Sequence, residues 1–345
     1  MNLHRTLQIV AKLPLAATAA LVAMILTVMA AMILPATASS TTLRITLQTS
    51  LKSHLGQNLM LFEKLVEKAS GQSIDVQIYD SAQLYRDKEV PEAVGSGQIE
   101  MGVASLTRYV GEIPAVDIFY MPFLLNTEEK VRKATAPGSP VRAPLDEAIL
   151  GTGARVLWWQ AYGSVILLSK GEPVATPAAM ANKKARVFGK TLGSWVKTVG
   201  GAPTLISGSE QFLAYQRGTV DIGMTGVAGV QSRKLWEVMD TITVTNNADI
   251  EFIVVVNEQF WQGLTGEQRN WISTAARAAE MDVRDRVGEI EAEAFEQARA
   301  NGMNIYSPKA REIEAWKDAS QPVINQWLTS AGDLGAKVYE AAKGL

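Results

Sequence analysis

Between Leu43 and Val103 the chain switches hydrophobic period four times, and this alternation restricts the fold more than any other feature. Leu43-Arg44-Ile45-Thr46-Leu47-Gln48 alternates apolar and polar residues, the period of a half-buried strand. Leu55, Leu59, Phe62 and Val66 then share one helical face, and Gly71 ends that helix. Ile74 to Ile78 alternates again, a short helix around Val90 and Val94 stops at Gly95 or Gly97, and Ile99, Met101 and Val103 restore the strand period. Strands separated by helices predict a largely parallel sheet whose faces the helices cover.

The pattern restarts after Leu157 to Tyr162, with strand-like Val165 to Leu168, a turn at Pro173 and Pro177, and strand-like Ala185 to Phe188. Leu192, Trp195, Val196 and Val199 form a helical stripe, and Thr204 to Ile206 and Val220 to Met224 read as strands around a helix from Glu210 to Gln216. At 345 residues the chain exceeds one ordinary core, so this second run predicts a second, smaller α/β lobe. Phe252 to Val256 is continuously apolar, as a strand buried on both faces is. Trp271, Ile272, Ala275, Ala279, Val283, Val287, Ile290 and Ala294 mark a helix long enough to span both lobes, stopped by Asn301-Gly302, and Trp316, Ile324 and Trp327 mark the last helices. The expected division is lobe 1 from residues 39–162 plus about 250–288, and lobe 2 from 163–249 plus about 289–345 with the lobe-spanning C-terminal helices.

Arg5 and Lys12 precede 26 uncharged residues, Leu13 to Ala38, which end in Ala36-Thr37-Ala38. That is the pattern of a secretory signal cleaved near Ala38, and it places the mature protein in the periplasm. The stretch also exceeds the ~20 residues that span a bilayer, so an uncleaved anchor is the alternative; Pro35 and the small-residue site favour cleavage. The segment holds two of the 33 Lys and Arg residues and none of the 35 Asp and Glu, so the mature chain has an acidic excess of four. An anionic ligand therefore needs a local positive site.

Several chemistries are missing. The near-balanced charge speaks against a nucleic-acid partner, and the lack of cysteine removes thiol chemistry and cysteine zinc sites. The mature chain keeps one histidine, His54, with no Gly-x-Ser-x-Gly or His-Glu-x-x-His, so no catalytic residue and no metal ligand is assigned. Gly189-Lys190-Thr191 lacks the first glycine of a phosphate loop, because Lys184 stands there, and Gly95-Ser96-Gly97 and Gly151-Thr152-Gly153 read as turns. No cofactor is expected, and Glu289, Glu291 and Glu293 read as a solvated helix face.

Six segments, in order, carry a resemblance: Tyr79-Asp80-Ser81-Ala82-Gln83-Leu84 with Asp87; Gly97-Gln98-Ile99-Glu100-Met101-Gly102; Met121-Pro122-Phe123-Leu124; Thr176-Pro177 through Lys184-Ala185-Arg186-Val187; Gly218-Thr219-Val220-Asp221; and Val256-Asn257-Glu258. Together they resemble the substrate-binding subunits of tripartite ATP-independent periplasmic (TRAP) transporters, the DctP-like family, over nearly the whole mature chain. The resemblance implies a two-lobe periplasmic binding protein, or Venus-flytrap, fold with mixed, mostly parallel sheets and a long lobe-spanning helix. It further implies a non-enzymatic protein that closes on a small organic acid and delivers it to TRAP membrane subunits. The rival readings are an exported enzyme and a membrane-anchored sensor acting on a small carboxylate.

In that family the arginine ending the Lys-x-Arg segment holds the ligand carboxylate, and Arg186 matches it. A guanidinium stays charged when desolvated and its planar fork fits two carboxylate oxygens. The resemblance also points to Gln48 after the first strand, Asp87, Ser105 after the third strand, Thr225 where relatives carry asparagine, and Tyr162 with Trp158 as an apolar wall near the lobe crossover. Relatives often have a second arginine where Ile166 stands. Its loss predicts a less polar pocket and a monocarboxylate with an apolar body.

Overall fold

The computed structural model describes residues 40–345; the expected signal segment lies outside them. Ten strands are present among the described residues: Thr41–Thr46 (β1), Ile74–Tyr79 (β2), Met101–Ser105 (β3), Ala154–Ser169 (β4), Lys184–Val187 (β5), Ala202–Leu205 (β6), Ile222–Gly226 (β7), Thr241–Thr243 (β8), Asp249–Asn257 (β9) and Asn304–Tyr306 (β10). They run in the order β2-β1-β3-β9-β4-β7-β5-β6, with β8 on β4 and β10 on β8. The outer pairs β1–β2, β1–β3, β5–β6, β5–β7 and β8–β10 are parallel. Every antiparallel pair involves β4 or β9. The result is two helix-covered α/β lobes joined by two antiparallel strands.

The crossover is built into one strand. Leu157 to Tyr162 and Val165 to Leu168 read separately in the sequence, yet both belong to the 16-residue β4. Its residues 154–164 pair with β9 and 165–169 with β7, and the register shifts between Ala161 and Gly163. Gly163 has φ +102°, and a Cβ there would lie 2.4 Å from Glu291 Oε1, so only glycine lets the strand bend beneath the long helix. Two short strands, β8 and β10, were not anticipated; three residues are too few to show a period.

The helix His54–Ala69 buries Leu55, Leu59, Phe62 and Val66, and the Ser53 side chain accepts from Gly56 N–H at its start. The predicted long helix is Gly266–Ala300, opened by a Thr265/Gln268 capping box. It lies against His54–Ala69, β4 and the helix Val227–Arg233. Arg284 on this helix donates through Nη1 and Nη2 to the Glu251 carboxylate of β9, at 2.6 and 2.7 Å. Both partners are buried, so the bidentate geometry compensates for two desolvated charges. The final helix Ala310–Lys343 contains Pro322 and bends at Gly332. Trp316 on it stacks on Trp195 of the second lobe at 4.6 Å, while Trp327 Nε1 donates to Pro114 O of the first. Among the described residues no helix is long and apolar enough to cross a membrane.

Candidate functional site

In an open α/β sheet the carboxyl ends of parallel strands leave backbone and loop residues facing one crevice. Here β1 delivers Gln48, β3 delivers Ser105, β5 delivers Arg186 and Phe188, and β7 delivers Thr225. Together with Asp87, Arg108, Tyr162, Gly208, Gln211, Arg233, Ile250 and Phe252 they line a narrow cleft whose empty space, open solvent included, is about 310 Å³. Six of the seven expected site residues therefore converge.

Arg186 is 3% exposed and is the most constrained of them. Its Nε donates to Ile206 O at 3.0 Å, its Nη1 to Met224 O at 2.5 Å, and its guanidinium lies 5.3 Å from the Phe188 ring centroid. Two backbone carbonyls thus fix the fork. Burial, reinforced by nearby Arg233 and Arg108, lowers the Arg186 pKa from the ordinary guanidinium value to about 10, so it remains charged near neutral pH.

The others divide by what is left to offer. Asp87 is saturated: Oδ1 accepts from Ser105 N at 2.8 Å, and Oδ2 from Ser105 Oγ at 3.0 Å and Arg108 Nε at 2.5 Å. It neutralises Arg108 and orients Ser105 rather than presenting a free carboxylate. Gln48 Oε1 and Gln211 Oε1 are buried with no hydrogen-bond partner among the described residues, so both amides keep capacity toward the cavity. Tyr162 is wedged between His54 and Phe252, each ring centroid 5.1 Å away, and its hydroxyl accepts from Arg233 Nη1 at 3.0 Å. Burial pushes the His54 pKa down to about 4, so the imidazole beneath Tyr162 is neutral at pH 7.

Trp158 does not reach the cavity. It is fully buried in the first lobe, donating from Nε1 to Asn58 Oδ1 at 3.0 Å and packing on Phe62 at 4.7 Å, because it lies four residues before Tyr162 on the same face of β4 and so meets the middle of the helix His54–Ala69 rather than its start. Ile166 is likewise buried in the second lobe's core. Sequence reasoning missed Arg108, Phe188, Gln211 and Arg233. Arg233 stands in Gln231-Ser232-Arg233-Lys234, which reads as a solvated helix end; only the return of that helix to the crossover reveals it.

The lobes touch beside the cavity. Asp117, fully buried in the first-lobe turn Pro114–Tyr120, accepts through Oδ2 from Thr191 N–H at 3.2 Å, at the start of the second-lobe helix Lys190–Thr198. Its other oxygen has no partner, and burial raises its pKa. Tyr120 meets Phe188 edge-on at 5.6 Å across the same seam.

Two lobes closing on an inward-facing, fixed guanidinium define a ligand-capture protein of the extracytoplasmic receptor class, with no nucleophile and base arrangement among the lining residues. The match to known proteins makes this specific: residues 47–330 fit the model for bacterial extracellular solute-binding protein, family 7 (DctP), and the chain belongs to that family. Its members are substrate-binding receptors rather than enzymes. The C4-dicarboxylate-binding periplasmic protein DctP of Rhodobacter capsulatus is 28% identical over 295 residues, covering 84% of this chain and 86% of that protein. A Bordetella pertussis extracytoplasmic solute receptor binding pyroglutamic acid has the same fold, with TM-score 0.84, 21% identity, and 88% and 100% of the two chains covered. So does a TRAP solute-binding protein from Sulfurospirillum deleyianum with bound succinate, with TM-score 0.81, 23% identity, and 87% and 98% covered.

Proposed function

We propose that the protein captures a small organic acid in the periplasm by closing its lobes on the ligand carboxylate, and delivers it to TRAP-type membrane subunits. The observation that carries this reading is Arg186: a buried guanidinium with two backbone carbonyls holding it, no carboxylate within 4.0 Å among the described residues, and a cavity in front of it. A buried unpaired charge is costly, and an incoming carboxylate removes that cost with bidentate hydrogen bonds. The relatives named above, which bind C4-dicarboxylate, pyroglutamic acid and succinate, support the ligand class. On this reading Gln48, Ser105, Tyr162, Thr225 and Gln211 complete the ligand's surroundings, and Asp87 acts through Arg108 and Ser105. The lobe boundary falls at Gly163 in β4 and near Asp249 in β9, and the anion favours the closed state because only there do both lobes touch it.

Thermal unfolding with small carboxylates and their neutral amides tests the proposal. Binding the folded state alone stabilises it by RT ln(1 + [L]/Kd), about 2.7 kcal/mol at a hundredfold excess over Kd. Acids are expected to raise the melting temperature and amides of the same body are not; equal shifts would remove the charge-specific site.

A further inference from the structure

Two carboxyl groups at the lobe crossover have no cation to answer them. Asp249 of β9, 7% exposed, and Glu291 of the long helix line one recess beside the bend of β4, with Gly163, Ser164, Glu128 and Arg284. The arginines nearby are engaged elsewhere. Arg284 donates through both Nη atoms to Glu251, and Arg132 lies 2.7 Å from Asp285 and 3.6 Å from Glu128. Neither Asp249 nor Glu291 has a basic group within 4.0 Å among the described residues. From β4 the recess receives the Ser164 N–H and no charge, from β9 Asp249 with Glu251 behind it, from the helix Glu128–Thr135 Glu128, and from the long helix Glu291 and Arg284. The helices His54–Ala69 and Val227–Arg233, which also pack on the long helix, contribute no lining residue. No three acids or imidazoles among the described residues converge as metal ligands do, so neutralising this recess is left to protons.

The recess sits where the lobes turn on each other. Ser164 and Asp249 are ladder partners at the point where β4 passes between lobes. Ser164 N donates to Glu291 Oε1 at 2.8 Å, and that oxygen fills the space a Cβ at Gly163 would need, 2.4 Å away. Rotating one lobe about this bend therefore moves the strand against the Glu291 carboxyl. Burial pushes the Glu291 carboxyl up to about 7, with the Glu128 charge adding to the effect, and burial together with Glu251 and Glu291 drives Asp249 well above the ordinary carboxylate range. A solvated helix face, the reading its spacing suggests, does not account for these contacts.

Resting on the capture reading above, we infer that Glu291 and Asp249 form a proton-operated lock on the hinge: protonated, they let the lobes sit together as in this structure, and on losing a proton they swing toward water and the lobes part. Closing on a ligand then takes up a proton. A carboxyl near 4.5 in the open form and about 7 in the closed one favours closure fully below 4.5, progressively less as pH climbs to about 7, and without further change above it.

Calorimetric titration of the parent and Glu291→Gln at pH 5 and pH 8, with whichever of pyroglutamate and succinate binds more tightly, tests this. The amide keeps an acceptor for Ser164 N–H and has no proton to lose, and the ratio of the two Kd values cancels the ligand's own titration. Between pH 5 and pH 8 the parent is expected to lose about tenfold or more relative to Glu291→Gln. Asp249→Asn, which removes the neighbouring charge, is expected to shrink that loss. Ligand-free melting confirms that the variants fold. Because the chain has no cysteine, spin labels at Lys88→Cys and Ser209→Cys report the cleft mouth alone, where Arg86 Nη1 lies 3.5 Å from Glu210 Oε1 of the other lobe. The ligand-free mouth is expected to widen from pH 5 to pH 8 in the parent and to hold still in Glu291→Gln. A Kd ratio unmoved by pH overturns the inference and leaves capture intact. Failure of every carboxylate to bind sinks the capture reading, and the label distances then decide the hinge alone, an unchanged mouth removing it.

Discussion

Replacing Arg186 separates what the guanidinium does for binding from what it does for folding. Lowering the guanidinium pKa to about 10 corresponds to about 3 kcal/mol that the ligand-free fold bears to keep the charge buried. Against this stand the hydrogen bonds to Ile206 O and Met224 O, each worth roughly 1.5–3 kcal/mol for a charged donor. The hydrogen bonds thus match the burial cost or exceed it by up to about 3 kcal/mol. Arg186→Met keeps the aliphatic volume and is expected to lower the ligand-free melting temperature by at most about 12 °C, because about 1 kcal/mol shifts it by no more than roughly 2–4 °C in domains of 150 residues or larger. Binding behaves differently, since the variant leaves a ligand carboxylate enclosed and unpaired, a loss of about 2–5 kcal/mol. That corresponds to a thirtyfold to several-thousandfold weaker Kd by the rule of about tenfold per 1.4 kcal/mol. Arg186→Lys keeps the charge without the fork and should fall between parent and Arg186→Met. The assay is calorimetric titration with one tight carboxylate, paired with unfolding of each ligand-free variant. A folded Arg186→Met protein binding within about threefold of the parent, less than 1 kcal/mol, would refute the assignment.

Gly229→Ala brings a methyl group within 2.5 Å of Tyr162 Oη and 2.6 Å of Thr225 Oγ1. Because these are side-chain ends, the fold should survive while affinity drops about tenfold, and unchanged titration curves would count against the placement of this wall. Glu291, whose Oε1 accepts from Ser164 N–H at 2.8 Å beside the β4 bend, has its pKa raised by burial from 4.5 to about 7. A carboxyl with a raised folded pKa leaves stability intact below pH 4.5 and removes it as pH climbs through about 7. Glu291→Gln should therefore stabilise the protein above neutral pH by up to about 3 kcal/mol and do nothing near pH 4, as denaturant titrations at the two pH values will show. Mass spectrometry of the exported protein should find a chain beginning near Ser39; an intact Met1 terminus in the membrane fraction would contradict cleavage.

The strands and the long helix were legible because burial on one face writes a period into the sequence: β1, β2, β3 and the stripe of Gly266–Ala300 were all readable from spacing. The continuity of β4 was not, since Gly163 interrupts the alternation while the hydrogen-bond ladder continues past it. Arg186 was found by its segment and its fork chemistry. Arg233 and Arg108 were hidden because an arginine at a helix end or after a strand has the same local signature whether it meets water or a cavity. The expectation of an apolar, monocarboxylate pocket counted the arginine missing at Ile166 and had no means of seeing that Arg233, from a different element, also lines the cavity. Trp158 shows the converse error: it shares a strand face with Tyr162 but lies four residues, roughly 13 Å, further from the crossover, within the first lobe's core.

The seam at Asp117 bears on how often the receptor is wrong. With the lobes in contact at this seam, Asp117 is buried with one oxygen unpartnered among the described residues and Arg186 has no carboxylate within 4.0 Å among them, so the empty protein carries a double desolvation cost. Part of the cargo's intrinsic affinity is absorbed in overcoming that cost, which weakens apparent binding by the fraction of molecules able to close. In return, a vacant molecule seldom imitates a loaded one, and whatever surface recognises the shut form is kept free of false deliveries.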